Sequence, residues 1–177
     1  MLELNILNED AVNKLEEQWT YQLDEINKKV EAGFLYSEVN RTVALCEKHA
    51  KEQADYYYSL TDTEGNIKAV AEILNASRSK DPSFKFLTVY LEPNLSTEWR
   101  ETLESSVIID ITKVLVAVII RAVEMASNGG QSKLKIFNRT EEMNRIFDVL
   151  LSQSEKLPSI KLYKQSKWLI IELEEIS

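Results

Sequence analysis

The chain has 177 residues, of which 44% are hydrophobic and 28% charged, with a net charge of −8 at pH 7. That length supports a core of its own, and the composition is too apolar for a disordered chain. The acidic balance repels phosphate backbones, so nucleic acid is not an expected partner. Cys46 is the only cysteine, which excludes an internal disulfide. The opening MLELNILNED has neither the basic region nor the apolar stretch of a signal peptide, so cytoplasmic residence is the expectation.

Residues 2–7, LELNIL, alternate apolar and polar and predict a short strand. Asn8 follows as an N-cap, with Glu9 and Asp10 in the first turn, where the helix dipole favours acids. Val12, Leu15, Trp19, Leu23, Ile26 and Val30 recur every three or four positions. They predict an amphipathic helix of about six turns, closed by Gly33 at C′. The next helix puts Leu35, Val39, Val43, Cys46 and Ala50 on one side and Glu38, Arg41, Glu47 and Lys48 on the other. Cys46 and His49 would share a face of it, but two ligands leave a zinc tetrahedron half empty, so no metal is expected. Cys46 reads as core and His49 as a solvated helix end.

The period then shortens. Residues 55–61 and 67–74 read as strands joined by a hairpin turn at 62–66. Residues 84–91, FKFLTVYL, are apolar on both faces and predict a central strand, stopped by Pro93. A polar stretch, 94–106, reads as a loop or a helical lead-in. Residues 107–126 are apolar almost all round, with Asp110, Lys113, Arg121 and Glu124 forming one thin stripe. This predicts a buried central helix, and its charges argue against a membrane span. Gly129-Gly130 closes it. A strand at 134–137, a helix from Thr140 to Ser152 and two strands at 159–163 and 167–174 complete the chain. The last two flank a Gln165-Ser166 turn, and Asn138 with Glu141 makes a capping-box-like start for the helix. No Pro/Gly-rich linker intervenes, so residues 1–177 read as a single domain.

Glu92 is the first candidate base, because it ends the central strand beside an expected cleft and burial would raise its pKa. The alternative is a solvated acid before Pro93. Glu72 is a weaker candidate of the same kind. Tyr56, Tyr57, Tyr58, Tyr90 and Tyr163 could line a pocket, although such residues more often fill strands. Lys113 and Arg121 could bind an anion, whereas Asp110 and Lys113 fit structural pairing at i,i+3. Trp99 could cap a pocket or mark an interface, and Trp19 and Trp168 form no motif. A Walker loop, a Gly-x-Ser-x-Gly elbow and a metal cluster are all missing from the sequence.

The element order β-α-α-β-β-β-α-β-α-β-β describes an α+β fold, a mostly antiparallel mixed sheet of about seven strands with a buried central helix. It resembles the GNAT (GCN5-related N-acetyltransferase) fold over essentially the whole chain. Local details agree: Leu91-Glu92-Pro93 at the fourth strand's end, a small-residue turn at 125–130, and Asn138 leading from the fifth strand into a helix. The resemblance implies that acetyl-CoA would be held where the central helix begins, here around Arg100, Ser105 and Ser106, with Asn138 also in the cofactor site. The family's glycine-rich pyrophosphate turn is missing, however. No glycine lies between Gly65 and Gly129, and Glu101 and Glu104 stand in that region. The helix that often supplies a proton-donating tyrosine has Phe147 instead.

The first functional expectation is therefore a binding or regulatory module without ordinary acetyl-CoA-dependent catalysis. The alternative is a divergent N-acyltransferase moving an acyl group from CoA to an amine, with acetyl-CoA its cofactor and Glu92 its base. A third reading makes the chain a homodimer through the near-heptad row of its first helix. No membrane partner is expected in any of them.

Overall fold

The computed structural model describes residues 2–54, 56–75, 84–97, 99–102, 104–130, 132–137, 141–153 and 160–173. The strands are β1 (Glu3–Ile6), β2 (Tyr57–Thr61), β3 (Ile67–Asn75), β4 (Phe84–Leu91), β5 (Lys133–Phe137), β6 (Ile160–Gln165) and β7 (Trp168–Leu173). The helices are α1 (Glu9–Asn27), α2 (Gly33–Lys51), α3 (Ser105–Asn128) and α4 (Glu141–Gln153). One seven-stranded sheet runs in the order β1-β2-β3-β4-β5-β7-β6. The β1/β2, β5/β7 and β6/β7 pairs are antiparallel, whereas β4 and β5 are parallel over Phe84↔Lys133 to Leu87↔Ile136. The element order is the one expected from the sequence.

The chain forms two compact units. The first comprises Met1–Ala71 and Val89–Val114. Asn8 opens its first helix, with Oδ1 accepting from Ala11 N at 2.8 Å, and Val12, Leu15, Trp19, Leu23 and Ile26 face inward. They pack in one apolar cluster with Leu35, Val43 and Cys46 of α2 and with Tyr57 and Ile67. Burying each such aliphatic side chain contributes about 1.5–3 kcal/mol. The row that the third reading assigns to another chain is thus covered from Val12 to Ile26 by this unit's own residues. Trp19 also donates from Nε1 to the Ile67 carbonyl at 2.9 Å, tying α1 to the start of β3.

Three expectations for this region are corrected. The first helix ends at Asn27, with Lys28 as C-cap, so Val30 lies beyond it and is 37% exposed. Gly33 does not terminate α1 but begins α2. Asn27 Oδ1 accepts from Ala32 N at 3.2 Å and closes the connection that a C′ glycine would otherwise have made. His49 is not solvated: its ring stacks on Tyr57 at 4.2 Å, and a 2.9 Å hydrogen bond joins Nδ1 to Tyr56 Oη. The turn between β2 and β3 is organised by Asp62, whose Oδ1 accepts from Glu64 N and Asn66 N. Gly65 there has φ +83°, a conformation that costs glycine little.

The second unit comprises Glu72–Thr88 and Leu115–Ser177. Leu115, Val118, Leu134, Phe147, Leu169 and Ile171 are among its buried residues. Lys164 of β6 pairs with Asp148 of α4 and donates to the Asn144 carbonyl at 3.2 Å. Ser166-Lys167 forms the β6–β7 turn, one residue later than expected, with Ser166 at φ +56°. The capping pair proposed at Asn138 and Glu141 lies outside the described residues at Asn138, as does Pro158.

The α3 helix is not buried all round. Ile111, Val114, Leu115, Val118, Ala122 and Ala126 are buried, while Ile109 and Ile120 are 53% and 55% exposed. Its charges pair on the open side, Lys113 with Asp110 at 2.9 Å and Arg121 with Glu124 at 2.7 Å. The i,i+3 pairing expected for Asp110 and Lys113 is therefore present. Among the described residues, no helix is long and apolar enough to cross a membrane.

In the second unit Glu172 of β7 lies 3.1 Å from Lys133 Nζ and accepts from Tyr163 Oη at 3.0 Å. These hydrogen bonds, Lys133 first and Tyr163 second, hold its carboxyl below the usual carboxylate range. A depressed folded value contributes stability above the unfolded pKa, and that stability is lost as pH falls through the folded value. Glu172→Gln should therefore cost about 1 kcal/mol near neutral pH and almost nothing well below the carboxylate range. Urea midpoints at about pH 7 and about pH 2.5 test this; the same deficit at both values would refute it.

Candidate functional site

Glu92, Arg100, Ser105 and Ser106 of the first unit lie along the stretch of chain between the end of β4 and the first turn of α3. Glu92 follows β4, and Pro93–Leu95 forms a short 3-10 helix with its proline at the first turn. Leu95 N and Ser96 N both donate to the Glu92 carbonyl, at 2.9 and 3.1 Å, so the chain turns sharply on Glu92. Trp99 folds back and donates from Nε1 to the Pro93 carbonyl at 2.9 Å. Arg100 Nη2 donates to the Asn94 carbonyl at 2.7 Å, and its guanidinium lies 4.1 Å over the Trp99 ring. Arg100 Nε is buried and has no hydrogen-bond partner.

Glu92 is only 3% exposed, which corrects the reading of it as a solvated strand-end acid. Oε1 accepts from Lys68 Nζ at 3.1 Å and Oε2 accepts from Gln22 Nε2 at 2.8 Å. Lys68 itself reaches Asp62 at 3.7 Å. Desolvation works to raise the Asp62 pKa, but hydrogen bonds from the Asn66 side chain and backbone and from Glu64 N, with Lys68 adding attraction, bring it below the usual range. The charges thus form a chain, Asp62–Lys68–Glu92, completed by the neutral amide of Gln22.

Beyond Arg100 the path reaches α3. Ile108 N donates to the Glu104 carbonyl at 3.1 Å, so the N–H groups of Ser105, Ser106 and Val107 belong to the first turn and have no acceptor within the helix. Ser105 and Ser106 are exposed, as are Glu101 and Glu104. Of the residues singled out from the sequence, Glu92, Arg100, Ser105 and Ser106 share this one segment of the first unit. Asn138 lies outside the described residues. Tyr56 and Tyr57 are engaged with His49 instead. Tyr163 belongs to the Glu172 network of the second unit. Trp99, expected at a pocket or an interface, is a brace within the segment.

Gln22 and Lys68 were not marked by any sequence pattern. Gln22 sits three residues after Trp19, beside the apolar row of α1, and Lys68 is one polar residue in a strand. Their partner is 70 and 24 residues away in the chain. Among the described residues, no group of three or more His, Cys, Asp and Glu side chains could hold a metal.

No protein-family model and no curated protein sequence matches the chain significantly. Solved structures do. PaiA N-acetyltransferase from Thermoplasma acidophilum, in complex with coenzyme A, aligns over 98% of this chain and 99% of its own, with 13% identity and a TM-score of 0.51. The yncA protein of Salmonella typhimurium with acetyl-CoA covers 100% and 96%, at 13% identity and a TM-score of 0.48. The ribosomal-protein-S18-alanine N-acetyltransferase of Escherichia coli covers 100% and 97%, at 10% identity and a TM-score of 0.46. The chain has the GNAT fold.

Proposed function

We propose that the protein is a divergent N-acyltransferase whose acyl donor, of the CoA class, is held by its phosphates at the start of α3. The observation that carries this reading is the first turn of α3. Its N–H groups lack helical acceptors, and its side chains, Ser105 and Ser106, are small, hydroxylated and exposed. It follows a strand with a parallel neighbour, and the carboxyl ends of such strands are where α/β sheets place ligands. A helix N-terminus favours an anion through its dipole and its free donors.

The donor set fits a phosphate, though without the glycine-lined turn of the family. Ser105 and Ser106 would supply hydroxyl and backbone N–H donors, and Arg100 brings the nearby positive charge. Glu101 and Glu104 oppose it, which predicts modest affinity. Acyl-CoA, when bound, would supply an activated thioester whose acyl group passes to an amine, with CoA leaving as the thiol. Glu92 enters as a buried anchor of this segment, because both of its carboxylate oxygens are already hydrogen-bonded. The binding-module reading is supported by the missing glycines alone.

Calorimetric titration with CoA and acetyl-CoA tests the proposal. Dissociation constants on the order of 10–100 μM are expected, from a few charge-assisted contacts. Binding should weaken on raising salt, since the contacts are ionic and exposed. Ser106→Glu should weaken it roughly tenfold by placing a carboxylate at the phosphate site. No heat at millimolar ligand would refute the acyl-donor site and return the binding module to first place.

A further inference from the structure

We infer that Gln22 is a positioning residue for this donor site, acting through Glu92 and Asn94 without touching the donor itself. The inference rests on the acyl-donor reading above. The Gln22 side chain makes two hydrogen bonds of opposite sense at once. Its Nε2 donates to Glu92 Oε2 at 2.8 Å, and its Oε1 accepts from Asn94 N at 3.1 Å. One residue of α1 thereby fixes two points of the segment, on either side of Pro93.

Glu92 is also held by β3. Its N–H donates to the Lys68 carbonyl at 3.0 Å, and its Oε1 accepts from Lys68 Nζ at 3.1 Å. Four donors downstream bond to the carbonyls of this clamped stretch. Leu95 N and Ser96 N bond to Glu92, Trp99 Nε1 to Pro93, and Arg100 Nη2 to Asn94. The stacking of Arg100 on Trp99 then ties those two braces to each other. The Arg100 guanidinium is thus placed by bonds that lead back to residues 93 and 94, its backbone N–H donates to the Thr97 carbonyl at 3.3 Å, and only four residues separate it from Ser105.

This arrangement has a physical purpose if the segment must present donors. A surface loop ordered only on binding loses affinity to the entropy of ordering, whereas one already fixed does not. Family members with a glycine-rich turn gain donors by close backbone approach. This chain has none of those glycines and relies on a held segment and a helix start. The side chain needed for that task is one that can donate to a carboxylate and accept from an N–H together. Glutamine can do both, and no apolar or singly charged side chain can.

The test compares wild-type protein with Gln22→Met, which keeps length and helix propensity but loses both hydrogen bonds. Two measurements are made: amide hydrogen exchange over residues 94–102, and CoA titration by calorimetry. Exchange at Asn94 to Arg100 should accelerate about tenfold, as local opening becomes easier. The CoA dissociation constant should rise about five- to tenfold, while the melting temperature falls by no more than about 4 °C. A reciprocal swap excludes a merely structural effect. Gln22→Glu alone sets two carboxylates together, and Glu92→Gln alone removes the ion pair to Lys68. In the double variant the carboxylate at position 22 accepts both from the amide at position 92 and from Asn94 N, so both contacts return with the donor of the 22–92 pair exchanged, and CoA affinity should recover to within about threefold of wild type.

Unchanged exchange at residues 94–100 in Gln22→Met would overturn the inference whatever CoA does. Faster exchange with an unaltered dissociation constant would overturn it too, because the segment would then be irrelevant to the donor. Absence of CoA binding in the wild type is a separate failure. It removes the acyl-donor reading and with it the ligand half of the inference, and exchange alone then shows whether Gln22 clamps the segment.

Discussion

Trp19→Ala is expected to be among the most damaging single substitutions in the chain, lowering stability by about 3–5 kcal/mol. The indole is 1% exposed in the middle of the first unit's apolar cluster, so its removal leaves a cavity that neighbours on α2 and β3 can only partly fill. The Ile67 carbonyl also loses its donor, and an unpaired buried acceptor adds about 1–3 kcal/mol. Trp19→Phe separates the two contributions, because it retains most of the volume and none of the N–H. Urea denaturation should place it between wild type and alanine. A deficit below about 1 kcal/mol for the alanine variant would mean that α1 is not seated as described.

Lys68→Met is the second large effect, expected to cost about 3–5 kcal/mol. It leaves Glu92, at 3% exposure, without its counter-charge and with only the Gln22 amide as a side-chain partner. The converse substitution, Glu92→Gln, should be milder, about 1–3 kcal/mol. Lys68 is 28% exposed and keeps Asp62 at 3.7 Å, so its charge is not stranded. The asymmetry is the diagnostic: equal losses for the two variants would mean that the pair is not buried on the glutamate side. Thermal and urea unfolding of both proteins at neutral pH measure it.

Most of the secondary structure was legible in the sequence because its signals are local. The three-and-four spacing from Val12 to Ile26 marks the buried side of α1, and Asn8 marks its start by satisfying a free N–H. The Asp62–Asn66 loop announces its hairpin in the same way, through an Asp that accepts from nearby backbone and a glycine with positive φ. The order of the elements was enough to suggest the GNAT fold. Local signals misled where two structures shared one pattern. Gly33 suits the end of one helix or the beginning of another, and which it does depends on Asn27 closing the connection first. Val30 continues the spacing of α1 after the helix has ended.

The candidate site was legible by position but not by role. Glu92, Arg100, Ser105 and Ser106 were marked by where they stand relative to a strand end and a helix start. That Glu92 is clamped instead of free, and that Gln22 does the clamping, depends on partners far away in the chain. His49 shows the same limit, since a helix-end histidine becomes a stacked, half-enclosed ring only when Tyr56 and Tyr57 return beside it.

Periods, caps and turns are properties of neighbouring residues: backbone dihedrals and side-chain directions repeat every two or 3.6 residues wherever the segment ends up. The strands, the helices and their order were accordingly set by the amino-acid sequence read on its own. Burial and pairing are different, because they depend on which distant segment covers a face. Only the folded chain could decide that the α1 row is spent on its own core and that α3 keeps an open side carrying Ile109 and Ile120. It also decided that the acid ending β4 is buried with both oxygens hydrogen-bonded, for the surroundings of a carboxylate are set by the groups that reach it.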